Sequence, residues 1–297
     1  MEKKLDRRSK ELRREIIEIY DSGRRGHIAS ALSIVEIVRV LYDAVLLYNP
    51  KKPDWPGRDR FILSKGHGCL AQYALLVDKG FVSESHKKTF CAVDGLFGGH
   101  PDHHIPGVEW STGSVGHGLA VAVGMAIAIK YQKSNIKNQI SKSNIININK
   151  EVKTLKKVPS RPRVFCLLGD GECNEGSIWE AALHAAKYKL ANLTVLVDYN
   201  QMQSYGKSTD VLPLTPIGDK WKAFGFGVSE VDGHDVLALQ EVFRRLPIDL
   251  NKPSAVICHT VKGKGIPIAE NNPQWHHRRG VTDEEIKMLY ETVEGYK

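Results

Sequence analysis

The 297-residue sequence predicts an α/β fold, a parallel sheet with helices on both faces. Three observations carry this. The strand-like segments "RVFCLL", "LTVLVDY" and "SAVICHTV" are continuous apolar runs, as strands covered on both faces require. Helical segments alternate with them, an order that gives parallel strands and right-handed crossovers. Polar residues close two of the runs, Gly-Asp-Gly at 169–171 after "VFCLL" and Asn200 after "LTVLVDY". In such sheets ligands bind beyond the carboxyl ends of the strands.

Taken in order, "MEKKLDRRSKELRREIIEIY" places Leu5, Leu12, Ile16 and Ile19 at helical spacing and lacks the apolar segment and cleavage site of an export signal. "DSGRRGHIASALSIVEIVRVLY" reads as a Gly-rich turn followed by a helix with Ile34, Ile37, Val38 and Leu41 on its apolar side. "RFILSKGHG" is a short buried strand entering a turn, and "LAQYALLVDKG" a helix stopped by Gly80. A long Gly- and His-rich stretch from 95 to 118 follows, of the kind that is functional or disordered in compact domains. Leu119 to Ile129 reads as a buried helix too short to cross a bilayer, so no membrane span is expected. After "RVFCLL" come a helix over 177–190, the strand "LTVLVDY", a helix end and strand in "WKAFGFGVSEV", the helix "VLALQEVFRRL" and the strand "SAVICHTV". No internal repeat or linker divides the chain, and one module over 1–297 is expected.

The formal charge of +8 is concentrated rather than spread. Between Tyr131 and Ser160, seven lysines face one Glu in a stretch biased to Asn, Ile, Lys and Ser. That composition marks a low-complexity basic insertion at 131–160, expected as a flexible surface loop. Its position explains the charge without a nucleic-acid surface. Five cysteines, an odd number without CxxC spacing, suggest neither a disulfide framework nor a zinc ribbon and fit a reducing cytoplasm.

Asp170 and Asn200, at the ends of two strands joined by one helix, can converge on one point. A carboxylate, an amide oxygen and a nearby carbonyl are hard ligands for Mg²⁺ or Ca²⁺, which in turn can hold phosphate oxygens. Gly169 and Gly171 allow close backbone approach, and the helix that follows directs its N-terminus at the same place. Gly-Asp-Gly is also a common turn, so the pair alone leaves a purely structural role open. "GECNEGS" has no Lys before its Ser and is not a P-loop, and no GxGxxG follows a strand. The cluster "HPDHH", with His103 and His104, lacks the second ligand group of a zinc site. His86, His184 and His234 read as structural.

With Gly-Asp-Gly, an intervening helix and Asn200, the sequence resembles the thiamine diphosphate-binding fold, and "GDGECNEGSIWEAALHAA" is similar to transketolase in particular. "GHIASALS" at 26–33, "SKGHG" at 64–68, "GGHP" at 98–101, "TGSVGHGL" at 112–119 and "HTVKGKG" followed by "ENNPQWHH" resemble further transketolase motifs in the same order. The resemblance implies that Asp170, Asn200 and the carbonyl of Met202 ligate a divalent ion, Mg²⁺ or Ca²⁺, with Gly171 and Asn200 on the diphosphate. It implies that His67 and His276 contact the cofactor, and that Gly113, Ser114 and Val115 line it where its two rings fold together. His27, His100 and His276 would surround the sugar, and Glu175 matches an acid linked to communication between paired sites.

The family activates the cofactor's aminopyrimidine with a glutamate from a second α/β module. The sequence contains one such module, so the resemblance implies the N-terminal subunit of a split transketolase. It would transfer a two-carbon ketol unit from a ketose or ketose phosphate to an aldose or aldose phosphate. Its expected partner is a separate pyrimidine-binding subunit in a 2:2 heterotetramer, active in the cytoplasmic pentose phosphate pathway. The family's sugar-phosphate arginines would largely sit on that partner.

His117, Ile28, Ala29 and His277 depart from the family pattern, and "DYNQMQSYGKSTD" is one residue longer than the common form. These departures suit an unusual sugar. A deoxyxylulose-phosphate synthase or dehydrogenase component would share Asp170 and Asn200 but not "SKGHG", "GGHP" and "TGSVGHGL" together.

Overall fold

The computed structural model describes residues 5–132 and 162–296. Of the basic segment at 131–160, all but Tyr131 and Gln132 lies outside the described residues. A two-residue strand, β1 (Arg25–Gly26), precedes the main sheet of β2 (Arg60–Leu63), β3 (Val164–Gly169), β4 (Leu193–Tyr199), β5 (Gly227–Asp232) and β6 (Ser254–His259). The five strands of this sheet run in the order β2-β3-β4-β6-β5, and every pairing is parallel. All residues of β3 and β4 are buried, which is why their sequences read as apolar runs, interrupted in β4 by Thr194 and Asp198.

The pleat divides those side chains between two cores. Phe165 and Leu167 of β3 join one cluster, and Val164, Cys166 and Leu168 join the other. The first cluster is covered by α1 (Arg7–Gly23), α2 (Ile28–Leu32), α3 (Val35–Val40), α4 (Cys69–Asp78) and the helices Val236–Arg244 and Asp283–Gly295. The second is covered by α5 (Gly118–Tyr131) and the helices Gly176–Lys187 and Ile217–Ala223. A helical layer on each face is the expected architecture.

The expected single helix after the Gly-rich turn is divided. It consists of α2, α3 and a π-helical turn at Leu41–Val45. Ser33 stands at the first division, where its hydroxyl donates to the buried Asp198 carboxylate (2.8 Å) and lies 3.0 Å from the Ser30 carbonyl. A buried acid thus takes a hydroxyl that periodicity would leave as ordinary helix surface. The expected layout omits two further elements, the antiparallel ribbon that β1 makes with β7 (Arg278–Arg279) and the helix Asp283–Gly295, although the capping box of Thr282 and Glu285 and the spacing of Ile286, Leu289 and Val293 mark that helix in the sequence. Two-residue strands are too short for an alternation signal.

A buried ionic chain anchors the loop after β6. The Arg13 guanidinium, wholly buried, pairs with Glu36 (2.6 Å) and donates through Nε to the Lys264 carbonyl (2.8 Å). Glu36 also meets His234 Nδ1 at 2.9 Å, and His234 Nε2 accepts from Val261 N at 2.8 Å. Since Nε2 accepts, Nδ1 carries the proton. The contacts fix residues 261–264 from two sides, and Lys262 with them.

Candidate active site

The carboxyl ends of β3 and β4 open into a cavity of 370 Å³. Its walls include His27, His67, His100, Gly113, Val115, Asp170, Gly171, Glu175, Asn200, Met202 and His276. Segments far apart in the chain thus converge as expected. Ser114 is exposed and falls outside the lining, and Glu175 is exposed at the N-cap of the helix Gly176–Lys187. Among the described residues, Asp102, His103 and His104 come close enough together for a metal, but they are exposed and outside this cavity.

At one end, Asp170 follows the last residue of β3. Its Oδ1 accepts from Gly171 N (2.7 Å), and its Oδ2 accepts from Gln201 N (2.6 Å) and Ser208 Oγ (3.3 Å). Burial, and then the neighbouring Asp198 charge, push its carboxyl up to about 6. Asn200 is oriented from below, since its Nδ2 donates to Asp198 Oδ2 at 2.8 Å. Its Oδ1 accepts from Met202 N at 3.0 Å, and the Met202 carbonyl accepts from Lys262 Nζ at 3.0 Å. Each of these acceptor oxygens retains further lone-pair capacity.

Beneath them lies a second acid with a different environment. Asp198 and Lys65, both essentially inaccessible, form an ion pair, and Lys65 Nζ also donates to the Ser30 carbonyl (3.1 Å). Burial alone would raise Asp198, but the Lys65 ammonium and the Thr260 and Ser33 hydroxyls hold it below the usual carboxylate range. Glu172 is also buried, accepting from Gly116 N (3.0 Å), Gly169 N (3.1 Å) and the Ser64 hydroxyl. It ties the turn before α5 to the end of β3. Burial raises its carboxyl.

The other end is lined by imidazoles. The His27 ring centroid lies 5.5 Å from His67, 6.0 Å from His100 and 5.2 Å from His276. Burial, followed by repulsion from neighbouring imidazoles and Lys262, lowers His27 to about 3. His276 is likewise lowered to about 3, by burial and then Lys262 and Lys65, and His67 falls well below its ordinary value. Neutral imidazoles at pH 7 can both donate and accept. His276 Nδ1 lies 2.7 Å from Lys262 Nζ, a donor, so Nδ1 accepts and Nε2 carries the proton. Burial, then Lys65, lowers Lys262 itself to about 8.

Two features show how closely the backbone is fitted. Gly113 has φ +147°, and a Cβ there would come within 3.1 Å of the His100 ring. Any side chain at 113 would therefore strain the backbone and crowd an imidazole. At Gly171 a Cβ would approach the Gln203 side chain to 3.0 Å. Gln203 Nε2 is itself buried without a protein partner, a donor directed into a cavity with space for an acceptor.

Lys65, Glu172, Asp198, Gln203 and Lys262 are the residues that sequence reasoning missed. One signal was available for Asp198, a charged residue inside the apolar run "LTVLVDY" where an unpaired charge would be prohibitive. Lys65 and Lys262 sit inside the motifs "SKGHG" and "HTVKGKG", but their partners lie 133 and 60 residues away. No local pattern reports such contacts.

Comparison with known proteins agrees with this arrangement. Residues 6–296 match the family model described as transketolase, thiamine diphosphate binding domain. The chain is 39% identical over 282 residues to an apulose-4-phosphate transketolase subunit of Actinobacillus succinogenes, covering 94% of this chain and 92% of that one. It is 34% identical over 270 residues to the 6-deoxy-6-sulfo-D-fructose transketolase subunit SqwG of a Clostridium species, covering 91% and 88%. Among solved structures, transketolase from Campylobacter jejuni superposes with TM-score 0.80 at 27% identity, over 96% of this chain and 42% of its own. The chain thus spans less than half the length of that transketolase but most of the separate subunits. No helix among the described residues is long and apolar enough to cross a membrane. A parallel sheet, the cavity at its carboxyl edge and this set of relatives lead to one conclusion: the chain belongs to the transketolase family, as a thiamine diphosphate-binding subunit of its split, transketolase-like members.

Proposed function

We propose that the chain is the diphosphate-binding half of a ketol transferase acting on a sugar with an anionic end. The observation that carries this reading is the meeting, in one cavity, of the oxygen donors Asp170, Asn200 and Met202 with the neutral imidazoles His27, His67, His100 and His276. The donor set fits a divalent ion. A cation relieves the burial that raises Asp170, Asn200 presents Oδ1 because Nδ2 is committed to Asp198, and the orphaned Gln203 Nε2 suits a phosphate oxygen. Asp170, Asn200 and Met202 would hold Mg²⁺ or Ca²⁺, and Gly171 and Asn200 the diphosphate.

Thiamine diphosphate, when bound, supplies the carbanion chemistry that cleaves a ketose beside its carbonyl. The chain's own residues position the sugar and handle protons. His27, His100 and His276 surround the sugar oxygens, with His276 offering its Nε2 proton and Lys262 holding its opposite nitrogen. Positioned proton transfer contributes about 10²–10⁴-fold per group. His67, Gly113 and Val115 line the cofactor; Ser114, exposed beside them, would meet it through the backbone.

The relatives named as separate subunits support a second, pyrimidine-binding polypeptide as partner. The helix α5 supports pairing of two such units, because apolar residues go all round it and Ala120, Gly124 and Ala128 form an exposed stripe of small residues at close-packing spacing. A 2:2 assembly accounts for both, with Glu175 near the junction as the acid that couples paired sites. The sugars in the relatives' names, apulose-4-phosphate and 6-deoxy-6-sulfo-D-fructose, favour a specialised anionic sugar over the common pentose phosphates.

Co-purification from the native host tests the assembly, and assay of the pair with a panel of ketose donors tests the reaction. The expected result is ketol transfer by the pair and none by the chain alone. Robust transfer by the isolated chain contradicts the reading.

A further inference from the structure

We propose that Arg25, His277 and Arg279 form a subsite at the mouth of the cavity for the terminal oxyanion of the sugar, a phosphate ester or a sulfonate. The inference rests on the ketol-transfer reading and adds to it the group that recognises the far end of the substrate.

The ribbon of β1 and β7 sets these side chains together. Arg25 is paired with Arg279 and Gly26 with Arg278, so Arg25 and Arg279 leave one face of the ribbon side by side. Like charges directly opposite each other are destabilising unless something neutralises them. The adjacent arginines are neutralised by acids, Arg24 by Asp21 (3.1 Å) and Asp283, and Arg278 by Glu285 (2.5 Å). Among the described residues, no acid pairs with Arg25 or Arg279, and both are exposed. Arg25 reaches the Cys91 thiol, which carries no counter-charge for it. Two guanidinium groups held together without a counter-charge present the donor array that a tetrahedral oxyanion accepts.

His277 connects this face to the cavity. Its ring centroid is 4.5 Å from that of His27, the imidazole at the centre of the histidine cluster. Burial, and then Arg279 and Arg25, lower its pKa, so both cations lie beside it. An anion bound between the arginines would offset that repulsion and raise His277 again. The chain therefore runs from the sugar-facing His27, through His277, to an unneutralised cationic pair, the direction in which a sugar's terminal group would leave the cavity. A contact with an acidic residue on the partner polypeptide is the competing use of the same face, and the test separates the two.

In the assembled pair, the double variant Arg25→Gln/Arg279→Gln is compared with wild type on a ketose phosphate and on its unphosphorylated counterpart. The expected result is a fall of about tenfold or more in the ratio of their kcat/KM values, through KM, while Arg24→Gln leaves the ratio in place. An unchanged ratio, or an equal loss on both sugars with weaker association of the two chains, overturns the proposal. Titrating the pair with inorganic phosphate and, in parallel, sulfate while following the His277 ring by NMR reads the subsite without turnover. Saturable shifts with a raised His277 pKa, lost in the double variant, support it, and the preferred anion distinguishes a phosphate from a sulfonate. Absence of a saturable shift overturns it. If the wild-type pair transfers no ketol unit, the functional reading fails while the titration still decides the subsite.

Discussion

The two ends of the cavity solve opposite electrostatic problems. At the acid end, Asp198 has a buried counter-charge in Lys65 and stays ionised, whereas Asp170, one strand away, has only hydrogen bonds and rises to about 6. The paired acid serves as scaffold, and the unpaired one is the group that the proposed divalent cation would satisfy. At the imidazole end there is no carboxylate partner for His27, His67 or His276 among the described residues, and burial with mutual repulsion keeps the rings neutral. A charged group buried with its partner orients others, while a group buried without one is prepared to bind or exchange protons.

The largest expected effect comes from breaking the scaffold. Asp198→Ala strands the Lys65 ammonium in the interior and removes the acceptor that orients Asn200, costing about 3–5 kcal/mol by chemical denaturation. The double variant Lys65→Met/Asp198→Leu recovers most of that stability but not cofactor affinity, which separates the structural role of the pair from its role beneath Asn200. A double variant as unstable as the single one contradicts the assigned pairing.

At the imidazole end, His276→Ala is expected to lower kcat by about 10²–10⁴-fold with little change in unfolding midpoint. Loss of stability without loss of turnover would place His276 with the structural histidines.

The contrast also has a pH signature. Folding lowers His27 and His276 from 6.5 to about 3, so the unfolded chain binds more protons between those values. Stability therefore rises with pH from about 3 to 6.5 and gains nothing further from these groups above that range. Replacing both with Gln should flatten that part of the stability profile; an unchanged slope shows that other groups produce it.

The smallest effect is expected at Glu175. It is exposed at a helix N-terminus, and Glu175→Gln should alter stability by about 0.5 kcal/mol or less. Any larger consequence should appear only in the cooperativity of cofactor binding to the assembled protein. A large loss of monomer stability contradicts its placement at a junction between units.

Much of this was legible in the sequence because it is periodic or punctuated. The largely apolar β3 and β4, and the polar residues just past them, placed Asp170 and Asn200 at the carboxyl edge of a parallel sheet. The motifs around His27, His67, His100 and His276 fixed which imidazoles meet. What sequence did not yield depends on pairing at a distance. Lys65 with Asp198, Glu172 with Gly116, and Lys262 with Met202 are contacts across 133, 56 and 60 residues. The division between α2 and α3 at Ser33 belongs with them, because its cause is a carboxylate 165 residues away.

The central claim is that the acid end holds thiamine diphosphate through a divalent ion. Calorimetric titration of thiamine diphosphate into the assembled protein, with Mg²⁺ and then with a chelator, tests this directly. Binding that requires the metal and is lost in Asp170→Asn is the expected result. Binding of equal strength in chelator, or in Asp170→Asn, would contradict the claim.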